Sequence, residues 1–249
     1  MTRTLRLIED MGDFRFWFDH FIRASLLAKF IYTLLAFLSV TAWAVIIRKI
    51  RLLRRCQKGS RAFRELYRKG RRNPMALYRH LIANRERFPS PLTAVFINGC
   101  EELQNQLDRS GGGDDEGDEE GRQTITTHQL GVISRSLEAV QDKYFLDLEH
   151  LLIHLATTIS VAPFLGLLGT VWGILVAFQE MGRQASTGVT AFGPGISEAL
   201  VSTVAGLLVA IPALLGYNFI GARIRELAGD AAHFTTEFLA LVEREFVRE

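Results

Sequence analysis

Three long apolar runs constrain the fold of this 249-residue chain more than any other feature. They cover residues 30–47, 151–179 and 199–222, and none contains an Asp, Glu, Lys or Arg. A helix of about 20 mostly apolar residues crosses a hydrocarbon core roughly 30 Å thick. With flanking residues included, the sequence predicts an all-α membrane protein with three transmembrane helices, at residues 25–47, 151–179 and 194–222.

The basic residues predict how these helices are oriented. Twelve Lys or Arg and a single acid, Glu65, lie between Arg48 and Arg72, and such clusters stay on the cytoplasmic side of a membrane. The turn between the second and third runs has one cation, Arg183. The N-terminus is therefore expected outside and the C-terminus inside. This orientation predicts two cytoplasmic segments, 48–150 and 223–249, and an outer turn at 180–193.

Residues 1–24 precede the first run and carry aromatic side chains at helical spacing. These are Phe14, Trp17, Phe18 and Phe21. Such a pattern is typical of an amphipathic helix that lies at the outer interface of the membrane. A segment that packs on a partner subunit explains it equally well.

The long cytoplasmic segment is predicted to be helical, with one exception. The stretch SGGGDDEGDEEG, residues 110–121, combines six acids with glycines and has no apolar side chain, which predicts a disordered linker. From Thr127 an apolar helical pattern continues into the second run without a breaker, so we expect one long helix there. The basic start of the segment favours anionic lipid headgroups over nucleic acid as its partner.

The second and third runs carry stripes of small residues at helical spacing. The stripes are Gly166, Gly169, Thr170, Gly173 and Ala177 in the second run, and Gly195, Ala199, Thr203, Gly206 and Ala210 in the third. Small side chains, including the GxxxG of Gly169 and Gly173, let helix backbones approach closely in lipid. We therefore expect these two helices to pack against each other or against copies of themselves.

Polar side chains stand out in the third run. Ser202 shares a helix face with Glu198, whereas Thr203 lies about 140° around the helix from it, so a cavity between several helices fits them better than a single row. An acid near the start of a helix is favoured by the helix macrodipole, whereas ionisable residues at membrane depth are often functional. Both interpretations of Glu198 remain open at this point.

Three prolines are placed where they shape these helices. Pro194, after Gly193, is suited to the first turn of the third helix. Pro163 and Pro212 lie inside the predicted second and third helices, where each removes a backbone donor and permits a kink.

The sequence does not indicate catalytic or metal chemistry. It contains no nucleophile–base set and no phosphate-binding glycine loop, and the acids at 110–121 lack calcium-loop spacing. His150 and His154 lie one turn apart without a third ligand on their face, and Cys56 and Cys100 are expected to be reduced and structural. We expect neither an enzyme nor a bound cofactor.

Two of these segments together resemble a known family. APFLGLLGTVWGILVAF (162–178) and FGPGISEALVSTVAGLLVAIPALLGYN (192–218) are similar to the paired motif helices of the TolQ/ExbB/MotA proton-channel family. The first run with its flank, residues 24–49, looks most like the TolQ branch. The resemblance covers the three runs, the orientation and the long cytoplasmic extension, whereas the loop at residues 50–125 shows little of it. The longer N-terminal extension and the acidic linker depart from the TolQ pattern.

The resemblance implies a homopentamer in the inner membrane of a Gram-negative cell, with a periplasmic N-terminus and a pore lined by the second and third helices. It implies a dimer of a single-span TolR/ExbD-type partner, whose membrane aspartate carries protons, and a further TolA/TonB-type protein. Thr170 and Thr203 match the polar pore threonines and Glu198 the pore-associated glutamate. Pro163 and Pro212 match the prolines of the family.

These observations lead to competing functional hypotheses. The first is a proton-driven stator subunit of the TolQ kind, in which Ser202 joins Thr170, Thr203 and Glu198 in the proton pathway and the transported ion is H⁺. An ExbB-like energiser of TonB-dependent uptake and a gliding-motility stator are variants of the same motor. A passive membrane scaffold, whose small-residue stripes only build an oligomer, is the alternative from another class.

Overall fold

The computed structural model describes residues 25–70, 74–84, 89–110, 124–183 and 193–247. Apart from an isolated parallel bridge between Ile125 and Val247, the regular structure of these residues is helical. The helices are α1 (Leu26–Gly70), α2 (Pro74–Ala83), α3 (Pro91–Ser110), α4 (Thr127–Glu149), α5 (Leu152–Arg183) and α6 (Gly193–Phe246). Three helical stretches contain a run long and apolar enough to cross a membrane. The all-helical class and the three candidate spans are thus confirmed.

α1 and α6 each continue from an apolar run into a charged segment, as the prediction of helical cytoplasmic segments requires. The C-terminal helix expected at 223–249 begins inside α6, which ends at Phe246. α5 extends to Arg183, into the expected outer turn. Residues 1–24, 111–121 and 184–192, on which other predictions fall, lie outside the described residues.

The chain from Thr127 to Arg183 is helical except for a turn at residues 150–151, so the long helix expected there is interrupted once, between α4 and α5. The Lys49 ammonium donates to the carbonyl oxygens of Leu148 at 2.6 Å and Asp147 at 3.3 Å. In an uninterrupted helix, those carbonyls would accept from residues 151 and 152. A cation at the C-terminal end of α4 also complements the helix dipole, so Lys49 explains why α4 ends where it does.

The described residues form two compact units. The first comprises the described parts of Met1–Ile47 and Leu151–Asn218 and thus most of the apolar runs. One cluster of its buried apolar side chains comprises Ile31, Leu35, Ala162, Ala205 and Ala210. In each candidate span no more than 28% of the most apolar window is buried within the chain, so most of this apolar surface is available to lipid or to other subunits.

The second unit, described within Arg48–His150 and Phe219–Glu249, has a core of large side chains. Phe63 lies at its centre, with ring centroids 5.2 Å from Phe234 and 5.7 Å from Phe96, distances typical of stabilising aromatic pairs. We call this cluster, with Tyr67 and Phe238, the aromatic core. Its fully buried aliphatic neighbours include Leu81, Leu92, Val95, Ile133, Leu137 and Val242.

Candidate functional site

The helices α5 and α6 approach each other at backbone distance along their small-residue stripes. A Cβ added to Gly206 would lie 2.6 Å from the carbonyl oxygen of Ala162, and one added to Gly173 would lie 2.8 Å from the Cβ of Ala199. A Cβ on Gly166 would lie 2.9 Å from the carbonyl oxygen of Ser202. None of these positions has room for a side chain. We call this contact the α5–α6 seam.

Three hydroxyl groups lie in the middle of the seam, and we call Thr170, Ser202 and Thr203 the hydroxyl cluster. Ser202 is 2% exposed, and its hydroxyl lies 2.9 Å from the carbonyl oxygen of Gly166 and 2.8 Å from that of Ala199. Thr170 contacts the same two carbonyls, at 3.1 and 3.0 Å, and its hydroxyl is hydrogen-bonded to that of Thr203. The cluster thus joins the two helices through side chains as well as through backbone contact.

The hydrogen bonds of the cluster can be arranged in more than one way. A hydroxyl has one proton to donate, and the Thr170 hydroxyl has three acceptors within reach: two carbonyls and the Thr203 oxygen. Thr203 reaches Gly166 as well, at 3.5 Å. If Thr170 donates to Thr203, Thr203 can donate to Gly166; if Thr203 donates to Thr170, Thr170 can donate to Ala199. The direction of this short chain can therefore reverse while its heavy atoms stay in place.

Three other hydroxyls of α5 form hydrogen bonds only within their own helix. Thr157, Thr158 and Ser160 each donate to the carbonyl four residues earlier in the same helix, at 2.9 to 3.1 Å. This local bond is the usual way in which a helical hydroxyl is satisfied in an apolar environment. Thr170 also has its local carbonyl, Gly166, within 3.1 Å, but Thr170 and Thr203, which are half-buried, in addition share a hydrogen bond across two helices.

Glu198 does not belong to the hydrogen bonds of the cluster. Its carboxylate Oε1 accepts from the backbone N–H of Ser25 at 3.2 Å, and its backbone oxygen accepts from the Tyr32 hydroxyl at 3.4 Å. Both partners belong to the start of the first apolar segment, in the same compact unit. Of the four predicted pathway residues, the structure therefore brings Thr170, Ser202 and Thr203 together and directs Glu198 toward α1.

The prolines lie where the sequence suggested, within or at the start of helices. Pro163 and Pro212 are inside α5 and α6, where they leave the carbonyls of Ile159 and Leu208 without their usual intrahelical donors. Pro194 is the second residue of α6, a position at which the missing N–H has no intrahelical partner to lose.

Two contacts of these helices could not be read from the sequence. The bond between Ser25 and Glu198 joins residues 173 positions apart, and the bond from Lys49 to Leu148 joins residues 99 positions apart. The sequence offers one signal for the first contact. Ser25 can cap a helix, but the residue three positions later is apolar and cannot accept the Ser25 N–H, so an acceptor has to come from elsewhere. Among the described residues, no group of three or more His, Cys, Asp or Glu side chains could hold a metal ion.

The helices and the seam define a class of helical membrane protein in which two close-packed apolar helices carry linked hydroxyls. Comparison with known sequences then identifies the family. The MotA/TolQ/ExbB proton channel family matches residues 101–232, which is more than half of the chain, and the chain belongs to this family.

Individual relatives are similar over different lengths. The chain is 29% identical to the Tol-Pal system protein TolQ of Haemophilus influenzae over 91% of its own length and 93% of that protein. It is 31% identical to the TolQ of Pseudomonas aeruginosa over 89% and 90%. Similarity to the biopolymer transport protein ExbB of Salmonella typhimurium, at 32% identity, covers 62% of this chain and 58% of that protein.

Proposed function

We propose that this chain is a proton-conducting stator subunit of the TolQ kind. In this role it acts in the inner membrane of a Gram-negative cell and uses the proton motive force to energise processes of the cell envelope. The observation that carries the proposal is the hydroxyl cluster: two half-buried threonines linked across two apolar helices. Membership in the MotA/TolQ/ExbB proton channel family supports it.

The cluster suits proton movement because a hydroxyl both donates and accepts. The oxygens of Thr170 and Thr203 can receive a hydrogen bond from a protonated carboxyl group on their exposed side and return one after that group has lost its proton. Reversal of the hydrogen-bond direction between the two threonines lets the cluster serve both states of the same carboxyl group. In this proposal the carboxyl group belongs to a single-span TolR/ExbD-type partner, present as a dimer.

The exposed faces of α5 and α6 support a ring of subunits. These helices present large apolar side chains that the chain itself does not cover; those more than half exposed are Ile153, Phe164, Leu167, Val171, Phe178, Leu200, Leu208, Ile211 and Leu215. In the proposed homopentamer, neighbouring subunits cover part of this surface and lipid covers the rest. The N-terminus is periplasmic, the C-terminus is cytoplasmic, and a TolA/TonB-type protein receives the motion.

Within the family, the extent of similarity favours the TolQ branch over ExbB-like uptake. Both TolQ relatives align over at least 90% of their own length, compared with 58% for the ExbB of Salmonella typhimurium. A gliding-motility stator would share the same motor. A passive scaffold would have the same seam but would not conduct protons.

Replacement of the threonines by valine tests the proposal. Valine has nearly the same shape as threonine but no hydroxyl, so Thr203→Val and Thr170→Val are expected to assemble and to lose most proton flux, roughly 100-fold, which is the usual scale for removing a positioned proton-transfer group. Thr203→Ser retains the hydroxyl and is the matched control. Flux is measured in vesicles containing the chain and its single-span partner.

Cell phenotypes assign the branch. With a TolQ-like role, a deletion strain becomes sensitive to detergent, and Thr203→Val fails to restore resistance whereas Thr203→Ser restores it. Loss of iron uptake with intact detergent resistance would instead assign the ExbB-like role. Equal flux in the wild-type protein and both valine variants would exclude a role of the hydroxyl cluster in conduction, whereas no flux from the wild-type protein with its partner would leave the scaffold.

A further inference from the structure

The carboxylate of Glu198 lies at the start of another helix. Its Oε1 accepts the backbone N–H of Ser25 at 3.2 Å. Ser25 occupies the N-cap position of α1, because its hydroxyl accepts from the N–H of Ala28 at 3.3 Å and its carbonyl accepts from Lys29 at 2.9 Å. The backbone N–H of the cap residue, Ser25, has no acceptor within α1, and Glu198 supplies that acceptor.

The N-terminus of α4 shows what this contact replaces. There, Thr126 accepts the N–H of Gln129 through its hydroxyl, at 3.3 Å, and donates its own N–H to the Gln129 side chain, at 2.7 Å. This reciprocal pair is a capping box. In α1 the residue equivalent to Gln129 is Ala28, which has no side-chain acceptor, so the acceptor comes from α6.

A second bond connects the same two segments. The Tyr32 hydroxyl donates to the backbone oxygen of Glu198 at 3.4 Å. Both the side chain and the main chain of Glu198 are thus bonded to the beginning of α1, whereas the hydroxyl cluster joins α5 to α6. The two sets of hydrogen bonds face different helices.

We propose that Glu198 is a positioning residue that completes the capping box of α1 from a distant helix and so fixes α1 against α6. It acts as a hydrogen-bond acceptor and as an anion at the positive end of the α1 dipole, and it does not pass protons to Thr203. The expected effect on conduction rests on the proposed function, because a displaced α1 disturbs the α5–α6 pair that carries the hydroxyl cluster. The capping contact between Glu198 and α1 does not rest on the proposed function.

Glu198→Gln separates the two roles. Glutamine keeps a side-chain oxygen that can accept the Ser25 N–H but cannot carry a proton, whereas Glu198→Ala loses both properties. Hydrogen–deuterium exchange of residues 25–32 in the full-length protein, with its partner in lipid nanodiscs, measures the cap. Removing an N-cap interaction is expected to speed this exchange about fivefold in Glu198→Ala, compared with about twofold or less in Glu198→Gln.

Proton flux in the same variants supplies the second readout. The proposal expects Glu198→Gln to conduct within about twofold of the wild-type protein and Glu198→Ala to lose most flux together with the protection of α1. Thr203→Val is the control that should lose flux and keep α1 protected. If the wild-type complex conducts nothing, the proposed function fails, and the exchange measurement still decides the cap.

Three results would overturn the assignment. In the first, exchange at the start of α1 is unchanged in Glu198→Ala. In the second, exchange is as fast in Glu198→Gln as in Glu198→Ala. In the third, Glu198→Gln keeps α1 protected and yet conducts as little as Glu198→Ala, which would make Glu198 a proton carrier.

Discussion

The α5–α6 seam and the aromatic core differ in what fills the space between helices. In the seam, an atom added to Gly206 would lie 2.6 Å from a backbone oxygen, and the contact is made by backbones and hydroxyls. In the aromatic core, Phe63 and its neighbours fill the space with rings whose centroids lie 5.2 to 5.8 Å apart. The seam excludes bulk, whereas the core depends on it.

The difference follows from the solvent that each region is expected to meet. In water, burying large apolar side chains is the main favourable contribution to folding. In lipid that contribution is absent between helices, so close backbone packing and hydrogen bonds stabilise their association instead. Adding atoms should therefore break the seam, and removing atoms should break the core.

The largest effect is expected from a bulky residue in the seam. Gly206→Leu places a side chain against the Ala162 carbonyl and within 3.1 Å of the Gly166 Cα, so α5 and α6 cannot both keep their positions. We expect little folded protein in the membrane fraction. Gly229→Leu is the matched control on α6, because a Cβ at Gly229 meets nothing within 4 Å. Normal membrane yield of Gly206→Leu would show that the seam is not the contact that holds these helices.

Truncation of a ring should have the next largest effect. Phe63→Ala removes the ring at the centre of the aromatic core, a fully buried side chain, and is expected to lower the free energy of unfolding by about 3–5 kcal/mol. Denaturant titration in detergent micelles measures it. Phe63→Leu, which retains most of the buried apolar volume, should lose clearly less. Equal losses in the two variants would mean that volume is not what stabilises this core.

The sequence predicted the parts of both regions that depend on local pattern. Apolar runs and small-residue stripes identified the three spans and the faces of α5 and α6, because helical periodicity fixes which residues share a face. It could not predict which residues meet, since the pairing of Thr170 with Thr203 depends on the axial position of one helix relative to the other. The end of α4 at Lys49 and the contact of Glu198 with Ser25 depend on distant side chains and were missed for the same reason.

Cys100 packs against the core of the second unit. Its thiol therefore makes the stability of that unit depend on pH. Burial, with a smaller contribution from Glu101, raises the pKa of the Cys100 thiol from 9.0 to about 12. The unfolded state therefore releases this proton first as the pH rises, so stability is complete below pH 9 and is lost progressively between pH 9 and about 12. By pH 10 the loss is about 1 kcal/mol from this group.

Denaturant titrations of the wild-type protein and of Cys100→Ala at pH 8 and pH 10 give the free energy of unfolding of each protein. The contribution of Cys100 is the difference between the two proteins in how far this free energy falls from pH 8 to pH 10. Burial also raises the pKa of Cys56 and of Tyr144, with the same sign, and lowers that of Lys49, with the opposite sign. These groups act equally in the wild-type protein and the variant, so they cancel in the comparison. An identical pH dependence in both proteins would show that the Cys100 thiol titrates as if it were exposed.

The smallest effect is expected from removing one oxygen from the seam. Ser202→Ala leaves the backbone contact intact, and both carbonyls that Ser202 reaches are also within reach of Thr170. The expected loss is about 0.6 kcal/mol, the average for such bonds between membrane helices. Because Ser202 and Thr170 share acceptors, Ser202→Ala should cost more when Thr170→Val is also present. A double-mutant cycle measures this coupling, and strict additivity would show that the two hydroxyls do not substitute for each other.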